Sequence, residues 1–349
     1  MATEQRQRLI SAGAGLAADV AVETRGELGE ADQVRARGYW EQVWRRLRRD
    51  RIALVSGVFI VVLVLTAFVG APIAAHVLGH GPNDLINGGV DAKTFLPVGP
   101  LSDVSAGQGH KTFLVLGASD TLGRDELLRL LYGARVSLEV AVLATVIGVA
   151  IGVALGVAAG FYGGLVDMFV SRLTEMAMAF PLLLFAIALA STIGDRMNDV
   201  TLGGLFAPGV VSLVVVIGAF SWYYPARVMR AQVLSLREKE FIEAARMVGA
   251  RDLRLMRSHL LPHLVAPIIV YSTLIVATNV LFEAGLSFLG LGVPLPNASW
   301  GTLLSSATKF YLSQPWLIVW PGLAILLTTL SFNLLGDALR DAFDPRGGS

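Results

Sequence analysis

Six stretches of this chain, at about 53–75, 136–160, 173–194, 205–224, 264–290 and 315–336, are each long and apolar enough to cross a bilayer. Roughly twenty such residues span the hydrocarbon core. No water is available there to hydrogen-bond the backbone, so each stretch has to satisfy its own N–H and C=O groups, as a helix does. The expected fold is therefore all-α and polytopic, with six transmembrane helices. Composition agrees: 54% of residues are hydrophobic and 16% charged, and mean hydropathy is +0.63. A soluble domain carries about 25% charged residues.

The formal net charge of +1 excludes a general nucleic-acid binder, which needs a concentrated basic face. The absence of cysteine excludes disulfides, thiolate zinc sites and thiol catalysis. About fifty polar residues precede the first apolar stretch, whereas a secretory signal places its apolar core within the first thirty or so. That stretch reads as a retained anchor.

Arginine and lysine concentrate on one side of the expected spans, the pattern of cytoplasmic loops. Arg45, Arg46, Arg48, Arg49 and Arg51 precede the first span; Arg227, Arg230, Arg237, Lys239, Arg246, Arg251, Arg254 and Arg257 lie between the fourth and fifth; Arg340 and Arg346 follow the sixth. The opposite side holds Lys93, Lys111, Arg124, Arg129 and Arg135 in one long loop, then Arg196 and Lys309. Both termini and the loop between the fourth and fifth spans are thus expected in the cytoplasm.

Outside the spans, residues 1–37 lack periodicity and read as a flexible cytoplasmic tail. Residues 38–51 set Trp40 and Trp44 among arginines, which suits an amphipathic helix at the membrane surface. An external loop is expected over 79–135, and the membrane domain over 52–346. Within the second span Gly148, Gly152, Gly156 and Gly160 recur every four residues, a face that lets another helix approach closely. The partner helix is either internal or that of another subunit.

The loop over 226–263 is polar and Arg-rich, with a helical pattern. Ser235 and Glu238 fit a capping box for a helix through Phe241, Ala244, Ala245 and Val248. Gly249 supplies the backbone freedom for a reversal, and Asp252 is placed to cap a second helix ending near Pro262. The result is an elbow whose small Ala244 and Ala245 permit a close partner and whose Glu243 offers a carboxylate. A solvated helix pair without a partner fits the same residues.

Glu243-Ala244-Ala245, Gly249 and Leu261-Pro262 match the spacing E-A-A, three residues, G, nine residues, I-x-L-P, with His259 at the isoleucine position. The loop resembles the coupling loop of ATP-binding-cassette (ABC) importer permeases, and His259 resembles their dipeptide/oligopeptide/nickel branch. His263 departs from the asparagine that this branch often carries. Asp120-Thr121-Leu122-Gly123-Arg124-Asp125, Tyr132-Gly133-Ala134-Arg135, Glu283 with Leu286 through Gly292, and Asn333 through Arg346 are similar to the same branch, so the resemblance covers about 40–346.

The resemblance implies a type I importer permease fold in a bacterial inner membrane. It also implies a path for di- or oligopeptides shared with a second homologous permease, an external substrate-binding protein, and two ABC ATPase subunits holding ATP and Mg. Nickel or another small solute is the alternative cargo. Docking of the ATPase would fall to Glu243, Ala244, Ala245, Arg246, Gly249, Leu261 and Pro262. No cofactor is expected in this chain, nor catalysis: a phosphate-binding loop needs Gly-Lys followed by Ser or Thr, and the four lysines follow Ala92, His110, Glu238 and Thr308.

Glu283 is the acid nearest the membrane interior in the fifth span, where such residues are functional suspects. It either faces water on the translocation path or supports the Leu286–Gly292 turn. Asn279, one helical turn earlier, and Ser287, one turn later, are candidates for the same path. Asp167, Arg172 and Glu175 suit a structural ion pair. His259 and His263 have a metal-chelating spacing, but Pro262 between them and the lack of a third ligand argue against a site. A secondary transporter or channel working alone would need several acids, arginines or histidines within its spans as a relay, and these are nearly lacking. A membrane enzyme is disfavoured by the absence of H-E-x-x-H and G-x-S-x-G.

Overall fold

The computed structural model describes residues 39–105 and 111–344. The expected tail over 1–37 and Arg346 lie outside them. The chain divides into two units, Met1–Arg46 and Leu47–Ser349. Helix α1, Tyr39–Arg49, begins in the first.

In the second unit, Asp50 opens α2 (Arg51–Leu78): its carboxylate accepts from Ile52 N at 2.8 Å and Ala53 N at 3.3 Å, two of the amides a helix start leaves unpaired. Much of α2 is exposed (Val55, Val58, Val61 and Leu65 among others), as expected of a surface solvated by lipid. Gly79, at φ 75°, ends it. The following loop carries a small antiparallel hairpin, Ser102–Ser105 (β1) with Lys111–Leu114 (β2). That loop stops ten residues earlier than expected, because Asp125 caps α3 (Glu126–Tyr162) by accepting from Leu128 N at 3.1 Å. At 37 residues, α3 is about 55 Å long.

The third and fourth spans differ from expectation. The third is two helices, α4 (Gly164–Ala179) and α5 (Leu182–Met197), bent by 89°. Pro181 forces the break: the residue before a proline is disfavoured in the α region, and Phe180 takes φ −84°, ψ 138°. The fourth is a nine-residue α6 (Val210–Gly218) and α7 (Tyr223–Leu236), bent by 42° across 219–222. Pro225 has no N–H to continue the ladder from the preceding turn and sits in the first turn of α7, where none is needed. Helix α8 (Glu240–Met247) leads into α9 (Asp252–Leu291), followed by α10 (Trp300–Ala307) and α11 (Trp316–Phe343). Among the described residues four helices alone are long and apolar enough to cross a membrane, and six spans result if each bent pair counts as one.

The glycine face of α3 packs inside the chain, against α7. A Cβ on Gly148 would lie 2.4 Å from Ser221 Cβ, on Gly152 2.6 Å from Trp222 O, on Gly156 2.4 Å from Ala226 O and on Gly160 2.8 Å from Val233 Cβ. With hydrogens there instead, α3 lies in contact with the 219–222 break and the following turns of α7.

Candidate coupling elbow and transport path

The elbow forms, but by other caps than the sequence suggests. Ser235 lies inside α7, so it makes no capping box; Lys239 takes the N-cap position of α8 with no side-chain bond. At the other end Gly249 N donates to Arg246 O at 2.9 Å and Ala250 N to Ala245 O at 3.0 Å, with Gly249 at φ 86°. This pair of bonds is the glycine-terminated helix end that satisfies orphan carbonyls. Arg251 occupies the next N-cap and Asp252 the first turn, again without a side-chain cap.

The second arm does not end at Pro262. It runs through six π-helical residues, Leu255–Leu260, into the fifth span, and Leu261 N donates to Met256 O, five residues back. The wider turn makes room for a proline ring that would otherwise strike the carbonyl four residues earlier. The elbow and α9 are therefore one continuous helix beyond Gly249.

Ile242, Leu255, Leu260 and Leu264 bury the inner side of the elbow against Val157 and Phe161 of α3 and Met229 and Val233 of α7. The opposite side is open: Glu243, Ala244, Arg246, Gly249 and Pro262 are exposed, while Ala245 and Leu261 are half-buried. The tip presents Met247, Val248 and Leu253, at 83, 90 and 72% exposure. The Arg246 guanidinium lies 5.6 Å from the Phe161 ring centroid. His263 packs on Phe241, its ring centroid 5.0 Å away, and His259 Nδ1 is 3.4 Å from Arg254 O. Among the described residues no three His, Asp or Glu side chains gather as metal ligands.

About halfway along α3, where α6 breaks into α7, lies a cavity of about 340 Å³. Phe220, Tyr223, Tyr224, Tyr271, Thr278 and Asn279 are among its walls, and none of its lining residues carries a charge. Asn279 is buried: its Oδ1 accepts from Ser221 at 3.0 Å and its Nδ2 donates to Thr145 at 2.9 Å, which ties α9 to the break and to α3. Glu283 and Ser287 are not in the lining. The fully buried Glu283 carboxylate accepts from Ser137 at 2.7 Å and Ser287 at 2.6 Å, and Ser137 Oγ accepts from Trp300 N at 3.2 Å. They form a polar knot joining α3, α9 and α10 beside the turn at Gly290.

Residues 152–347 match the family described as binding-protein-dependent transport system inner membrane component, and residues 38–86 match the N-terminal TM domain of oligopeptide transport permease C. The chain belongs to this family of importer permeases. It is 34% identical over 315 residues to the dipeptide transport system permease protein DppC of Alkalihalophilus pseudofirmus, covering 90% of this chain and 92% of the relative. It is 35% identical over 320 residues to the glutathione transport system permease protein GsiD of Escherichia coli and of Shigella boydii, covering 91% and 94%. The permease is a multi-pass inner-membrane subunit of an ABC importer and works in a complex with other subunits.

Two features of this permease were missed in the sequence. Arg230 of α7 pairs with Asp167 of α4, with Nη2 to Oδ2 at 2.7 Å, so the acid expected in a local pair instead joins two helices. Arg172 and Glu175 do pair locally, at 2.8 Å on the exposed side of α4. The tyrosines of the cavity were also missed. The run Trp222-Tyr223-Tyr224-Pro225 inside an apolar stretch was the available signal, since aromatic hydroxyls beside a proline mark a span that is broken and polar.

Proposed function

We propose that this permease and a second, homologous one form the membrane path for di- or oligopeptides delivered by an external binding protein. Two separate ATPase subunits, which hold the ATP and Mg, drive the cycle. The cargo is inferred from the relatives, one named for dipeptide and the other for glutathione transport. The observation that carries the mechanism is the helix that runs from Asp252 as far as Leu289, short of the turn at Gly290. It links the second arm of the exposed elbow directly to the wall of the uncharged cavity, so a push that reaches this arm moves Tyr271, Thr278 and Asn279 with no break in the helix between. In this reading Glu243 meets a basic group of the ATPase, with Ala244, Ala245, Arg246, Gly249, Leu261 and Pro262 around it. The arginine distribution supports a cytoplasmic elbow and termini.

The test is co-purification of the tagged chain with its co-expressed genomic neighbours in mild detergent. Recovery of an ATPase and a second permease is expected, with the ATPase lost in Glu243→Arg. Normal peptide uptake in that variant would overturn the docking role.

A further inference from the structure

A second cavity, of about 450 Å³, opens beside the first turns of α3, at the end remote from the elbow. Phe161 packs in the elbow cluster, and Arg135 stands twenty-six residues earlier on the same helix. That is about 39 Å of helix axis at 1.5 Å per residue, enough to cross a hydrocarbon core of about 30 Å. The outer cavity shares Val136, Phe206 and Ala207 with an apolar cluster, and the inner cavity shares Ala186, Ile217 and Phe282 with it. The two cavities are thus successive along α3, with one apolar cluster between them.

Their chemistry differs. The inner lining is uncharged, whereas the outer one holds Arg135 and Glu139, one helical turn apart. Arg135 Nε donates to Glu139 Oε1 at 2.8 Å, and the guanidinium lies over Phe68, 5.4 Å from the ring centroid. Among the described residues the terminal nitrogens of Arg135 and Oε2 of Glu139 make no further hydrogen bond. The Glu139 side chain is only 9% exposed. An Arg–Glu pair one turn apart is commonly a surface ion pair. This one lines a cavity, with Glu139 sunk in its wall and the Arg135 side chain 41% exposed, and the Arg135 terminal nitrogens and Glu139 Oε2 are unspent.

A pair of free guanidinium N–H groups matches a carboxylate, and a free carboxylate oxygen matches an ammonium. We propose that the outer cavity binds the two charged ends of a small peptide, with its carboxylate on Arg135, its ammonium on Glu139 and a side chain against Val136 and Phe206. The proposal rests on the peptide reading above and deepens it. The termini are recognised at this outer station, and the uncharged inner cavity accepts the peptide without regard to them. That division suits a path used by peptides that differ in side chains but share their ends.

The test uses the assembled importer in nanodiscs, without binding protein or ATP. The probe is a dipeptide of photo-leucine and alanine, cross-linked by light and located by digestion and mass spectrometry. Label is expected within 132–139 or 201–208, competed by leucyl-alanine but not by its C-terminal amide. Arg135→Gln and Glu139→Gln should each cut that label by roughly tenfold, as the loss of a charge-assisted bond predicts. Equal competition by acid and amide, which needs no variant, would overturn the proposal. So would label confined to other residues, and either result leaves the peptide reading standing. If the importer with its binding protein takes up no peptide at all, that reading fails and this one with it.

Discussion

At the scale of single residues, the glycine face of α3 is the sharpest test of the packing. In an open helix, Gly→Ala gains about 1 kcal/mol of helix propensity. At Gly156 the new Cβ would sit 2.4 Å from the Ala226 carbonyl oxygen, a backbone atom that cannot rotate away. Gly156→Ala is therefore expected to lose about 1–3 kcal/mol through overpacking and to melt earlier in detergent. Gly285→Ala, whose Cβ would meet nothing within 4 Å, should melt at or above the native temperature and serves as the control. Equal behaviour of the two would mean that α3 and α7 do not touch. Asn279 is subtler. Thr145 and Ser221, its partners, also lie within bonding distance of the carbonyls of Ala141 and Ile217, at 2.7 and 2.9 Å. Asn279→Leu thus leaves neither hydroxyl stranded and should cost only about 1 kcal/mol in thermal stability, while removing the one side-chain amide from the inner cavity.

At the scale of elements, the continuity of α9 separates docking from drive. Two glycines inserted between Pro262 and His263 would break the helix between the elbow and the span while leaving the docking residues from Glu243 to Pro262 uninterrupted. The expected phenotype is an assembly that still holds its ATPases and hydrolyses ATP, but takes up little peptide. Glu243→Arg should instead lose the ATPases. Uptake near normal in the insertion variant would mean that force reaches the cavity by another element.

Elements also show what the sequence could say. The first, second, fifth and sixth spans were legible because their hydropathy is continuous. The third and fourth were blurred because a window of about twenty residues averages across Pro181 and the 219–222 break, where the chain turns without becoming polar. The elbow was legible from Gly249, since few residues but glycine sit easily at φ 86°. Its caps were not, because Ser235-x-x-Glu238 reads as a helix start wherever it stands, and here Ser235 falls in the last turn of α7. At the candidate path, Asn279 and Glu283 were visible as polar residues in an apolar stretch. Which of them met the cavity was not, for that depends on Ser137, Thr145 and Ser221, which arrive from distant segments.

For the whole molecule, the outstanding question is which end faces the cytoplasm, and α3 serves as the ruler. Phe161 at its one end packs with the elbow; Arg135 near the other lines the outer cavity. The proposed function requires the elbow inside, with the ATPases, and the outer cavity open to the binding protein. Arginine counts favour that sense. The chain contains no cysteine, so an introduced one is the only thiol of this chain that a maleimide can label. Lys93→Cys in the loop after α2 and Val248→Cys at the elbow tip are both exposed, and neither side chain is needed by a neighbour in the structure. In intact cells a membrane-impermeant maleimide should label Lys93→Cys and spare Val248→Cys, and opening the cells should expose the second. The reverse pattern would put the elbow outside. No ATPase could then reach Glu243, and the drive through α9 would have no source.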